Sequence, residues 1–441
     1  MATRGSDRSP SPSLLGYTIG RRGLLKGAAA GAAALGLGWP LGRASAQAQV
    51  EPGKATGDLP VGSNYSDPVP KAALHAAIDA FPNKNVKIKL NEVDHNTFQQ
   101  NITTYLQSPD DVIPWFAGYR MQYFAAQDLL GPIDDVWASG LNDTMSAGFK
   151  LASTGQDGKL YFVPWTYYCW GIHYRPSLWA EKGWKVPTTF DELKSLADNM
   201  KTAGIVPFAF GNDGRWPAMG TFDQLNFRMN GYQFHIDLMA GKEKWTDDRV
   251  KNVFTTWADL LPYHQDTPNG RKWEEAATLL VNKQAGMMTI GNFVGEAFNG
   301  DTSDLDFFPW PSMNDEFGTK TIEAPIDGWL MAKSPKNEAA AKELLLYFGT
   351  KEAQTVYVTK NPSVIGAAQD IDKSIFSPLQ QKSLAAVAEA ESVTQFLDRD
   401  TSPEFAENVA GPSFADFISD PTKADSILKD MQGKAEAIFN Q

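Results

Sequence analysis

The sequence predicts an α/β protein built from mainly parallel sheets flanked by helices. Three observations carry this expectation. Short apolar or alternating stretches recur between longer stretches with helical spacing, the pattern of strand–helix–strand units whose sheets are covered on both faces. The 441 residues are enough for two or three domains. A hydrophobic content of 42% with 21% charged residues is that of an ordinary globular protein.

The N-terminus reads as a targeting segment. Arg21-Arg22-Gly23-Leu24-Leu25-Lys26 has the form of a twin-arginine signature. The Ala/Gly/Leu run over 27–38 is too short to span a bilayer, and Ala44-Ser45-Ala46 is a small-x-small cleavage site. Residues 1–46 are therefore expected to be a twin-arginine signal peptide, with the mature chain starting near Gln47 and exported folded.

Residues 47–68, rich in Gly, Pro and polar groups, predict a loose lead-in with one short strand. Leu74, Ile78 and Phe81 share one face of a helix over 71–81, and 85–93 alternates apolar and polar as a strand. Phe98, Ile102 and Leu106 predict a helix over 95–106; a short apolar strand follows over 111–117. A helix over 122–130 ends at Gly131-Pro132. The next strand carries Trp165, Tyr167, Tyr168, Trp170 and Tyr174, more rings than a core strand needs, and passes into a helix–Pro–helix unit. Pro187 stops the chain, and Thr189-x-x-Glu192 forms a capping box. Leu193, Leu196, Ala197 and Met200 follow at helical spacing up to Gly204, placed for a left-handed C-cap. A strand over 205–211 runs into Asn212-Asp213-Gly214-Arg215-Trp216-Pro217. Helices are expected to begin near Asp247, to cover 272–282 with Ala276, Leu279 and Leu280 inward, and to cover 334–349 with Ala341, Leu344, Leu345 and Phe348 on one face. Trp137, Trp179, Trp184, Trp257 and Trp273 sit in helical patterns and read as packing.

Charge and cysteine usage narrow the function. Beyond residue 46 the chain holds 34 basic against 51 acidic residues, a net −17. Such an acidic surface argues against nucleic acid as a partner, because that requires basic stripes that replace counterions. Cys169 is the sole cysteine, so neither an internal disulfide nor a thiolate metal cluster can form. His75, His95, His173, His235 and His264 have no metal-ligand spacing, so no metal and no cofactor are expected. With no cysteine at the cleavage site, a soluble exported protein without a lipid anchor is expected.

The segment 159–211 resembles the family 1 extracellular solute-binding proteins of ABC importers, the class that includes the maltose-binding protein. Three further phrases carry the likeness: Lys283-Gln284-Ala285-Gly286-Met287-Met288 leading to Gly291-Asn292-Phe293; Asp327-Gly328-Trp329-Leu330-Met331-Ala332 before a helix; and the turn Asn361-Pro362-Ser363-Val364. In the first phrase Gly and Ala are transposed, and Phe293 stands where the family has Trp. The likeness covers about 85–370. It implies a two-lobed periplasmic-binding-protein fold (type II, Venus-flytrap) with the ligand cleft at the hinge. Lobe one would hold 47–168 and 329–372, and lobe two 169–328 and 373–441. The implied function is a periplasmic receptor, a monomer without catalysis. It captures a sugar or oligosaccharide by hinge closure and delivers it to the membrane permease subunits.

A sugar presents flat C–H faces and a rim of hydroxyls. Aromatic rings suit the faces, and planar polar side chains suit the rim. The family's cleft segments carry over to Trp115, Trp216 and Phe293, with Trp165 and Trp329 as further platforms. Arg120, Tyr167, Asp213, Arg215, Asn292, Asp327 and Arg399 are the polar candidates beside them. Two alternatives stay open. One is a receptor for a polyamine, iron or a phosphonate, for which Tyr167-Tyr168 is a superficial pair. The other is an exported glycosidase, although the adjacent pairs Glu274-Glu275 and Asp134-Asp135 point apart and make poor dyads.

Overall fold

The computed structural model describes residues 49–439, so the expected signal peptide at 1–46 lies outside the described residues. Thirteen strands are present among the described residues: β1 (Gly57–Ser63), β2 (Val86–Glu92), β3 (Val112–Phe116), β4 (Leu130–Gly131), β5 (Phe162–Tyr167), β6 (Trp170–Tyr174), β7 (Val206–Phe208), β8 (Ala285–Gly291), β9 (Asp306–Phe308), β10 (Thr321–Glu323), β11 (Ile326–Ala332), β12 (Ile365–Gly366) and β13 (Ser392–Thr394). They form a seven-stranded sheet ordered β12-β5-β11-β3-β1-β2 with β4 beside β11, a four-stranded sheet ordered β7-β8-β6-β9, and the pair β10-β13.

Strand direction corrects the expectation of mainly parallel sheets. Strand β1 runs parallel to β2 and β3, and β7 parallel to β8. By contrast, β11 runs antiparallel to β3 and β5, β12 antiparallel to β5, and β6 antiparallel to β8 and β9. Parallel neighbours arise where a helix carries the chain back along the same sheet, as Pro68–Asp79 does between β1 and β2. Strands β5 and β6 are separated only by Tyr168-Cys169 yet belong to different sheets. Their direction is set by the crossing, not by a helical return.

Local chemistry explains most elements. Thr189 and Glu192 form the reciprocal capping box at the start of helix Phe190–Thr202. Its apolar face buries Leu193, Leu196, Ala197 and Met200. Gly204 follows with φ of 73°. The lead-in differs from expectation: β1 spans seven residues and pairs on both sides, because Leu59 and Val61 are wholly buried. The expected helix over 95–106 breaks at Asn101, whose side-chain amide donates to Thr97 O at 2.8 Å and competes with the backbone ladder. The helix expected over 122–130 is instead Tyr119–Ala126, and Leu130 pairs in β4. Among the described residues no helix is long and apolar enough to cross a membrane.

The seven-stranded sheet is held from one side by rings. Trp329 stacks on Phe348 with centroids 4.6 Å apart, and Trp165 meets both Phe348 (5.0 Å) and Tyr357 (5.1 Å). Both indoles are wholly buried.

Candidate ligand cleft between the two sheets

Where β5 gives way to β6, the two sheets face each other across a cavity of about 110 Å³. The seven-stranded side contributes Tyr65 after β1, Phe116 at the end of β3, Thr166 on β5 and Asp327 on β11. The four-stranded side contributes Trp170 on β6, Phe293 just after β8, Trp216 and Trp273 at helix starts, and Glu296. The segment after β13 adds Phe396, Asp398 and Arg399. This placement at strand ends and helix starts is where open α/β sheets bind ligands.

The rings form one nest. Trp216 and Phe293 lie 5.8 Å apart, edge to face, and Trp170 lies 6.1 Å from each. Trp273 meets Phe293 at 5.2 Å, and Phe396 packs on Trp170 at 4.9 Å. Gly291 makes the Phe293 position possible: a Cβ there would stand 2.5 Å from that ring and 2.8 Å from Tyr168. Across the cleft, Trp216 Nε1 donates to Asn96 Oδ1.

Charged groups interleave with the rings. Arg399 pairs with Asp327 at 2.9 Å, donates to the Tyr168 hydroxyl at 3.1 Å, and lies 4.0 Å from the Phe116 centroid. Behind it, Arg120 bonds Asp398 at 2.7 Å, Gln99 at 3.0 Å and Glu407. Asp398 Oδ1, Arg399 Nε and Trp170 Nε1 are buried without a hydrogen-bond partner among the described residues. Burial pushes the Asp327 carboxyl up to about 6, with Arg399 opposing the rise. Burial also pushes Glu296 up to about 8 against the Asn361 amide bonded to it. His95 is pushed down to about 4, chiefly by burial and then by Arg399, so it is neutral here.

Of the residues singled out from the sequence, Trp216, Phe293, Asp327 and Arg399 line this cavity. Eight others do not. Trp115 and Arg120 lie behind the wall, with the guanidinium 4.8 Å from the indole centroid. Trp165 and Trp329 belong to the ring core described above. Tyr167 turns to Phe149, while its neighbour Tyr168 faces the cleft. The Asn292 side chain donates to Ser383. Asp213 and Arg215 form the turn that launches Trp216, with Arg215 at φ of 65°. The physical reason is common to the strand rings: in a sheet covered on both faces, a ring in mid-strand packs into core wherever it points. On β11 a bulge at Asp327/Gly328 separates Asp327 from the regular strand that carries Trp329.

Tyr65, Trp170, Trp273, Glu296, Tyr357 and Phe396 also line the cavity, beyond the residues that the sequence marks as ligand contacts. Trp273 opens the helix Trp273–Val281 and is buried against Phe293. Tyr65 lies two residues beyond β1, a strand masked by its Gly and Pro content.

The family model described as bacterial extracellular solute-binding protein matches residues 65–355. Among solved structures, the bacterial solute receptor AcbH, described as having an exclusive preference for β-D-galactopyranose, superposes with a TM-score of 0.85 at 42% identity, covering 87% of this chain and 100% of that one. A structure described for xylan utilization by Caldanaerobius polysaccharolyticus gives a TM-score of 0.79 at 21% identity, covering 86% and 99%, which is a likeness of fold. A Pyrococcus horikoshii ABC transporter extracellular-binding protein is 24% identical over 337 residues, 73% of this chain and 74% of that protein. A probable sugar-binding periplasmic protein of Brucella suis is 26% identical over 287 residues, 62% and 65% of the two chains. The shared fold is two-lobed, and the cavity here lies between the seven-stranded and four-stranded sheets.

Proposed function

The chain belongs to the bacterial extracellular solute-binding protein family, and from that premise we propose that it captures a single hexopyranose, with β-D-galactopyranose the first candidate. One observation carries this reading: a ring nest set against Asp327 and the buried polar groups Asp398 and Arg399, with Trp170 Nε1 lacking a hydrogen-bond partner among the described residues, between two sheets. Trp170, Trp216 and Phe293 suit the apolar faces of a sugar ring. Asp327, Asp398 and Arg399 suit its hydroxyls, each of which needs a partner once buried. Likeness to AcbH at 42% identity supports the choice of sugar.

In this reading the lobes close on the sugar, and the closed form hands it to the permease subunits of an ABC importer. Lobe one holds 47–168 and the stretch from Ile326 to about 372, since β11 pairs in the seven-stranded sheet from its first residue. Lobe two holds the rest of the mature chain. Export by the twin-arginine route, a monomeric state and an extracytoplasmic location complete the proposal.

A thermal-shift and calorimetric screen tests it, covering D-galactose, other hexoses, oligosaccharides, polyamines, ferric ion and phosphonates. D-galactose is expected to raise Tm and to bind with one-to-one stoichiometry. Binding of oligosaccharides alone would overturn the single-ring reading. Response only to a polyamine, ferric ion or a phosphonate would overturn the sugar.

A further inference from the structure

We propose that Asp223 is a positioning residue for the cleft, holding the segment that carries Phe396, Asp398 and Arg399 through the backbone amide of Leu397. Asp223 lies seven residues after Trp216 on the helix Trp216–Met239, two turns along the same face. Its side chain is buried, and its Oδ2 accepts from Leu397 N at 2.7 Å. No other hydrogen bond reaches this carboxyl among the described residues; its Oδ1 is buried and unpartnered, with His235 Nε2 no nearer than 3.8 Å. Burial pushes His235 down to about 3, so that ring supplies no cation.

A carboxyl in such surroundings is costly to bury. Its one polar contact falls on the residue between two that line the cleft. Leu397 itself is wholly buried and points away as an anchor. The far end of the segment is tied to the stretch beyond the break at Gly231 (φ of 82°): the Thr401 hydroxyl donates to Met239 O at 2.8 Å. Within the segment Gln395 N donates to Asp400 Oδ2 at 3.1 Å, and Arg399 N to Phe396 O at 2.7 Å. The helix that presents Trp216 thus also holds, at Leu397, the segment that presents the cleft's cation.

The inference rests on the reading of this cavity as the ligand site, and the test separates the two. Hydrogen–deuterium exchange is followed over 394–401 in the ligand-free protein, alongside calorimetric affinity for D-galactose, in D223A and D223N. The amide oxygen of D223N accepts from Leu397 as the carboxylate does. D223A is expected to speed exchange at Leu397 and its neighbours and to weaken D-galactose capture by ~10-fold or more, with global Tm changed less than capture. D223N is expected to restore both. If D223A does not fold, D223S, whose hydroxyl is too short to reach Leu397, carries the same readouts. Unchanged exchange over 396–399 in D223A or D223S, or failure of D223N to restore it, overturns the proposal. If the wild-type protein does not bind D-galactose, the choice of sugar falls while the exchange result still decides the role of Asp223.

Discussion

Trp216 Nε1 donates a hydrogen bond to Asn96 Oδ1 at 3.2 Å, joining the helix that begins at Trp216 to the helix His95–Gln100 on the opposite wall of the cleft. The same indole packs edge to face on Phe293 and Trp170. It therefore contributes ring area to the cleft and a bond that spans it. Trp216→Ala is expected to weaken capture of the cognate sugar by about 1–3 kcal/mol, the scale of one buried ring. Trp216→Phe keeps most of the area and loses only the bond, so about 0.5–1.5 kcal/mol is expected. Isothermal titration of both variants checks the order.

Stability is expected to fall as pH rises from about 6.5 to 8. Burial raises Glu296 to about 8, Asp400 and Glu274 to about 7, and Asp327 to about 6. A carboxyl whose folded value lies above its unfolded one stabilises fully below the unfolded value, and that contribution is lost as pH climbs through the folded one. Buried His95 and His264 (about 4) and His173 and His235 (about 3) act in the opposite direction, below 6.5. At 6.5 the unfolded histidines are already half neutral and their effect fades, while the carboxyl effect persists towards 8. Thermal denaturation between pH 5 and 9 reads this, and Glu296→Gln should flatten the alkaline decline.

Arg120 should matter for folding more than for ligand discrimination. Its guanidinium is wholly buried and pairs with Asp398 and Glu407. Removing one partner of a buried pair leaves charge uncompensated, so Arg120→Met is expected to cost about 3–5 kcal/mol in chemical denaturation. The ranking of sugars should stay as in the wild type, since the side chain lies behind the wall.

Trp329→Ala is expected to lower stability by about 3–5 kcal/mol, the usual cost of deleting a buried ring. It stacks on Phe348 and is wholly buried. A urea midpoint shift with an unchanged slope would confirm cavity formation without loss of the fold.

These last two residues show where the sequence was legible and where it was not. Local signals held: the Thr189 to Glu192 box, the Gly204 cap and the alternation of β2 depend only on neighbours in the chain. Ring chemistry pointed to the right kind of cleft but did not say which rings face it. Trp329 and Asp327 are two residues apart on β11, and only Asp327 reaches the cavity; the bulge between them has no composition that marks it. Trp170 and Trp273 are the first residues of β6 and of a helix, and the sequence around them does not mark those starts as facing a cleft. Strand direction was also hidden, since alternation of strand and helix does not show where the chain changes sheets.

That change of sheets governs how the chain assembles. Strand β5 finds its two neighbours in β11 and β12, which are not made until Ile326–Ala332 and Ile365–Gly366 have followed the whole four-stranded region. During synthesis both edges of β5 stay open and unsatisfied, a template for unwanted pairing with other chains. The first half is thus sealed by late arrivals, so its final locking waits on the second half, and truncation between β5 and Ile365 leaves an adhesive edge rather than a smaller working protein.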